Sequence, residues 1–256
     1  MITSYMKFVI PMPLEATSEQ YARLCALRAV FAQACNRLAP EVQQSRVWNR
    51  VTLHHLYYHT LRTQFPDLGA QMVCNAIYAV SKMARLIYQH PKSPYSEGIR
   101  GGAALPLMRF SDSCPVYFDW HTLSIKSKQL SLFTMDGRMH FELALNPAKR
   151  KVFERAKLRE IVLKERPDCR FDLTFYLESV DAVANAGLAV NTLPNTPPAG
   201  FPAASNAKAN TPDAKNVETN TVETKLAFNV DPSPRSAEPS FISTLVPDYV
   251  SIEGSP

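Results

Sequence analysis

The chain changes character near residue 180, and that change limits what it can fold into. Before it, hydrophobic residues recur at helical or strand spacing. Residues 183–240 are rich in Ala, Asn, Thr, Pro and Ser, with Phe201 and Phe228 their only aromatics. Such a stretch buries too little apolar surface to offset its ordering entropy, so residues 181–246 are expected to form a disordered linker. The folded core is expected in residues 1–180, long enough to stand without staples. Strand-forming residues return briefly at 249–252.

Charge divides the same way. The first 180 residues carry 24 Lys and Arg against 15 Asp and Glu, and the remainder carries 4 against 8. A basic domain with an acidic tail favours a polyanionic partner. Five cysteines, at 25, 35, 74, 114 and 169, include no CxxC pair. Reduced thiols in a cytoplasmic protein account for them. The N-terminal apolar run is too short for a signal peptide, and no stretch is long enough to span a bilayer, so no membrane partner is expected.

Residues 5–10 alternate weakly and end at Pro11 and Pro13, which reads as a strand. Thr17 or Ser18 caps a helix over 18–38, with Tyr21, Leu24, Leu27, Val30, Phe31 and Leu38 on one face, stopped by Pro40. Thr52 caps a second, with Leu53, Leu56, Tyr57, Thr60 and Leu61 as its stripe. Gly69 opens a third that runs to Gln89. The period then falls from 3.6 to 2. Strands are expected at 115–120, 123–126, 129–134, 139–145, 158–163 and 170–177, with an Asp136-Gly137 hairpin and a short helix at 147–155. The fold class is α+β. The first strand is expected to pair with the later ones, which makes the helices an insertion into an antiparallel β-domain.

No nucleophile elbow, phosphate loop or paired-carboxylate motif is present, and Asp112 and Asp119 suit turns or caps better than acid catalysis. Catalytic residues, metal ligands and cofactors are therefore expected to be none. His55 and His59, four apart on one helical face, have the spacing of metal ligands, but no third ligand stands nearby. They leave a His-dependent metalloprotein as an alternative. The basic residues point elsewhere. Arg46, Arg50 and Arg62 edge the second helix with Asn49 between the first two, Lys82 and Arg85 lie off the apolar stripe of the third, and Lys126, Lys128 and Arg138 flank strand connections. Cations interleaved with polar and aromatic groups suit phosphate contacts, and these nine are the candidate nucleic-acid-binding residues.

Several stretches carry a family resemblance: Ala34-Cys35-Asn36, residues 51–66 and 68–85, Phe110-Ser111, residues 117–126, the 130–138 hairpin and residues 166–178. Their arrangement resembles the N-terminal half of TnpB, the OrfB-type transposon-encoded RNA-guided endonuclease and relative of type V CRISPR effectors. The resemblance implies a barrel-like wedge β-domain (1–14 and 104–180) interrupted by a three-helix recognition bundle (15–103). It also implies that residues 247–256 are the remnant of the first strand of a RuvC-like nuclease domain, with Glu253 near the position of that family's first catalytic Asp. The nuclease domain's other carboxylates are absent from this sequence. The expectation is thus a truncated, transposase-associated binding module rather than an enzyme, holding guide RNA, duplex DNA or both. An inactive decayed or split fragment of such a nuclease is the alternative.

Overall fold

The computed structural model describes residues 6–126, 129–143, 146–179 and 246–253, and within them the chain is α+β with antiparallel sheets. Strand β1 (Met6–Leu14) precedes three helices, α1 (Ser18–Ser45), α2 (Arg50–Gln64) and α3 (Ala70–Ala84), the last continued by a π-helical turn over Arg85–Gln89. A one-turn helix α4 (Glu97–Arg100) follows. Then come β2 (Leu107–Phe110), β3 (Val116–Phe118), β4 (Leu123–Lys126), β5 (Gln129–Thr134), β6 (Gly137–Glu142), α5 (Pro147–Arg155), β7 (Lys157–Glu165), β8 (Phe171–Ser179) and β9 (Val250–Glu253). The strands form three sheets, ordered β1-β8-β7-β3, β4-β5-β6 and β2-β9. None of these sheets closes on itself among the described residues. The expected linker, Val246 apart, lies outside them.

β1 pairs antiparallel with β8 over its whole length, Met6 opposite Ser179 through Leu14 opposite Phe171. The first strand thus pairs with a later one, as the patterning predicts, and α1 to α3 lie between the two in the chain. Alternation sets the faces: Phe171, Leu173, Phe175 and Leu177 of β8 are buried, joined by Phe8, Ile10, Met12 and Leu14 of β1. Pro11 and Pro13 do not end the strand, contrary to their reading as stops. β1 is an edge strand, and prolines two apart both turn their missing N–H toward the free side.

Pro40 likewise fails to stop α1, which runs on to Ser45. An interior proline removes one helical bond and costs about 3 kcal/mol. On either side of it Ala39 and Val42 are buried, and beyond it Gln43 Nε2 donates to the Leu105 carbonyl at 2.6 Å. Packing on the apolar face outweighs the lost bond. At the other end Thr17 and Gln20 form a reciprocal capping box. The cap of α2 is Asn49 rather than Thr52: Asn49 Oδ1 accepts from the backbone N–H of Val51 and of Thr52. Leu56, expected in the buried stripe of α2, is 54% exposed. Gly69, before α3, has a steric reason to be glycine, since a Cβ there would stand 2.5 Å from the Phe133 ring.

Two contacts tie distant elements together. Asn36 of α1 uses its side-chain amide as a strand would. Nδ2 donates to the Phe110 carbonyl at 2.7 Å, and Oδ1 accepts from the Phe110 N–H at 2.8 Å. β2 thus has β9 in its ladder and an asparagine holding both backbone groups of Phe110. The second contact joins α1 to the end of β7: Tyr21 and Arg28 both donate to the Glu165 carboxylate. Those bonds, Tyr21 first, hold the Glu165 carboxyl below its ordinary range. A depressed carboxyl contributes stability that is present above its unfolded pKa, about 4.3, and lost as pH falls through the lower folded value. Denaturation in urea at pH 7 and pH 3 is expected to show a smaller acid loss for Glu165→Gln than for the wild type. Equal losses would remove Glu165 as a source of acid sensitivity.

Candidate nucleic-acid interface

α3 meets the four-stranded sheet through side chains able to hydrogen-bond. Gln71, Asn75, Tyr78 and Lys82 recur at helical spacing, so they form one line beside the apolar line of Met72, Val73, Ala76, Ile77, Val80 and Met83. Gln71 Nε2 donates to Asp119 Oδ2 at 2.6 Å, and Asn75 Nδ2 to the Tyr117 carbonyl at 3.0 Å. Tyr78 donates to Glu160 Oε1 at 2.9 Å, and Lys82 Nζ reaches both Glu160 oxygens at 2.7 and 3.0 Å. Asp119 also accepts from the N–H groups of His121 and Thr122, the turn role its position in the sequence predicts.

Cations and aromatic rings collect at the Lys82 end of that line. The Arg50 guanidinium, at the start of α2, lies 5.3 Å from the Tyr78 ring centre, and Lys82 Nζ lies 5.1 Å from that of Tyr117. Tyr78 and Tyr117 meet edge to face at 5.5 Å. Burial raises the Tyr78 phenol pKa and the Glu160 charge adds to the shift, while Arg50 and Arg85 pull it back. Arg85 opens the π-helical turn seven residues on from Tyr78, at the same end of the line, and its Nε donates to Gln89 Oε1 at 3.3 Å. Tyr176 of β8, 36% exposed, completes the rim, and its phenol is raised by burial and then by Glu160. Three cations thus surround one carboxylate and three tyrosines.

The other expected binding residues stand apart from this patch. Arg46 occupies the left-handed C-cap of α1 at φ 53°. It ion-pairs with Glu97 at 3.1 Å and donates to the carbonyls of Gly102 and Ala103, pinning the segment after α4. Asn49 is the cap of α2, and Arg62 donates to the carbonyls of Phe65 and Pro66 just beyond that helix. Arg138 donates to Ser131 Oγ and the His121 carbonyl. Lys126 ends β4 with an exposed side chain, and Lys128 lies outside the described residues. Of the nine, Arg50, Lys82 and Arg85 belong to the patch, while Arg46, Asn49, Arg62 and Arg138 hold corners of the fold.

His55 and His59 are exposed on α2, while His54 stacks on Tyr58 at 4.7 Å. Among the described residues no group of three or more His, Cys, Asp or Glu gathers to hold a metal ion. No helix among them is long and apolar enough to cross a membrane. A cleft of about 610 Å³ opens where residues 246–249 meet the β7–β8 turn, with Arg28, Lys164, Glu165, Arg166 and Asp248 in its walls. No protein-family model matches this chain, and no curated protein matches it either. Sequence reasoning missed Tyr78, Tyr117, Tyr176 and Glu160. The polar line 71, 75, 78, 82 was a readable signal for Tyr78, because polar residues at helical spacing beside an apolar stripe mark a second contact face.

Proposed function

We propose that this protein is a nucleic-acid-binding module of the kind that forms the N-terminal half of TnpB-like proteins, and that it binds guide RNA or target duplex without cutting it. The observation that carries the reading is the grouping of cations on aromatic rings, Arg50 over the partly exposed Tyr78 and Lys82 over Tyr117, with the charge of Arg85 also acting on the Tyr78 phenol, beside Tyr176. Cations neutralise phosphates, and aromatic faces accept stacked bases of any sequence. The insertion of α1 to α3 between β1 and β8 supports the finer architecture, a wedge-like β-domain with a helical recognition bundle set into it. On this reading β9 is the opening strand of the nuclease portion. It lies along β2, with Glu253 ion-paired to Arg109 at 3.1 Å.

The test is a gel shift of the full chain against structured RNA and duplex DNA across a salt titration. Binding is expected to weaken steeply as salt rises, and Arg50→Gln with Arg85→Gln is expected to lower the log–log salt slope by about 2. No binding at low salt, or binding indifferent to salt, would overturn the proposal.

A further inference from the structure

α5 and the residue that opens β7 carry five cations, Lys149, Arg150, Lys151, Arg155 and Lys157, against the single carboxylate of Glu154. Eight of the domain's other cations are used inside it. Arg23, Arg28, Arg37, Arg46, Lys82, Arg109, Arg159 and Arg166 all ion-pair with carboxylates. The five cations of α5 and β7 make no side-chain hydrogen bond or ion pair among the described residues. Arg150, Lys151, Arg155 and Lys157 are exposed. Lys157 stands opposite Glu178 in the ladder, but that carboxylate is already held by Arg159.

The helix is firmly seated. Asn146 caps it by accepting from the Lys149 N–H at 2.8 Å, and Pro147 occupies its first turn. Val152 is buried, and Phe153 packs edge-on against Phe175 of β8 at 5.0 Å. At helical spacing this inward face leaves Arg150, Lys151 and Arg155 on the outer arc, with Glu154 among them.

We infer that α5 is a second nucleic-acid contact, a rail of cations laid along one strand's phosphates. A nine-residue helix spans roughly 13 Å at 1.5 Å per residue. One strand of a duplex presents a charge every 3.4 Å along its axis, so this span faces roughly four phosphates. Charge complementarity selects this occupant, and the packing argues against a bilayer. An interfacial helix needs an apolar face to insert, and the apolar residues of α5 are turned into the domain. The inference rests on the nucleic-acid reading above and names a surface that reading does not include.

The experiment compares three forms of the full chain, wild type, the triple variant Arg150→Gln/Lys151→Gln/Arg155→Gln, and the patch variant Arg50→Gln/Arg85→Gln. Each is titrated with a structured RNA and a duplex DNA over a salt series, and with anionic phosphatidylserine vesicles. Circular dichroism checks that the exposed triple substitution leaves the fold intact. The triple variant is expected to bind nucleic acid at least about tenfold more weakly at moderate salt, with a log–log slope lower by about 3. A wild type that binds while the triple variant binds equally well would overturn the α5 contact and leave the general reading standing. A wild type that binds no nucleic acid overturns both. Capture by vesicles that needs the three cations, without nucleic-acid binding, would reassign the surface to a membrane.

Discussion

Phe175→Ala is expected to destabilise the protein by about 3–5 kcal/mol, the range for emptying a buried aromatic site. Phe175 is fully buried on β8, the strand held between β1 on one side and β7 on the other. Its register partners are Ile10 and Ile161, and its ring takes the edge of Phe153 from α5. The substitution therefore opens a cavity where two strand pairings and a helix seat meet. Three neighbours drawn from separate parts of the chain leave little freedom for collapse around the gap. In urea the midpoint should fall by about 1–3 M with an unchanged slope. A loss below about 1 kcal/mol would mean that β8 is not the centre of this core.

The second large effect is expected at Asn36. Asn36→Ala removes a donor and an acceptor together and leaves both backbone groups of Phe110 without their side-chain partner. At about 1–3 kcal/mol for each orphaned group, and with Asn36 only half-buried, a loss of about 2–4 kcal/mol is expected. Asn36→Asp separates the two halves of the contact. Its carboxylate can still accept from the Phe110 N–H but faces the Phe110 carbonyl with like partial charge. Protonation supplies a donor, so the aspartate variant should recover stability, relative to the alanine variant, as pH falls through its carboxyl pKa. Hydrogen exchange at the Phe110 amide gives a local reading, and exchange should quicken in both variants at pH 7. Unchanged protection would show that β9 alone holds β2.

Local signals made much of the fold legible. β4, β5 and α5 fall where the sequence pattern sets them, because period-2 alternation, a Gly-bearing turn and an Asn-Pro start are short-range signals. That the first strand pairs with a later one was legible, but which one, β8, was not. Pro11, Pro13 and Pro40 misled because a proline's effect depends on what surrounds it: a free edge accepts its missing donor, and a buried flank can outweigh a lost helical bond. The site was harder. Whether a lysine is available for a phosphate depends on carboxylates far along the chain. Lys82 and Glu160 are 78 residues apart, and Arg46 and Glu97 are 51 apart. Nothing in the local text of Lys82 marks it as paired, and nothing in that of α5 marks it as left open.

The place of β1 at the edge of its sheet also bears on how the protein is made. Its partner β8 lies at the far end of the folded region, so a ribosome adding about 5–20 residues per second finishes β8 roughly 10–30 s after β1. During that interval α1 to α3 can form their local contacts, while β1 has nothing of its own to pair with. A bare apolar strand invites neighbouring nascent chains to add to it. Pro11 and Pro13 remove two donors from one of its sides and make that side a poor template. The residues that look like interruptions of the strand keep one of its two sides closed to such additions, before β8 arrives and after.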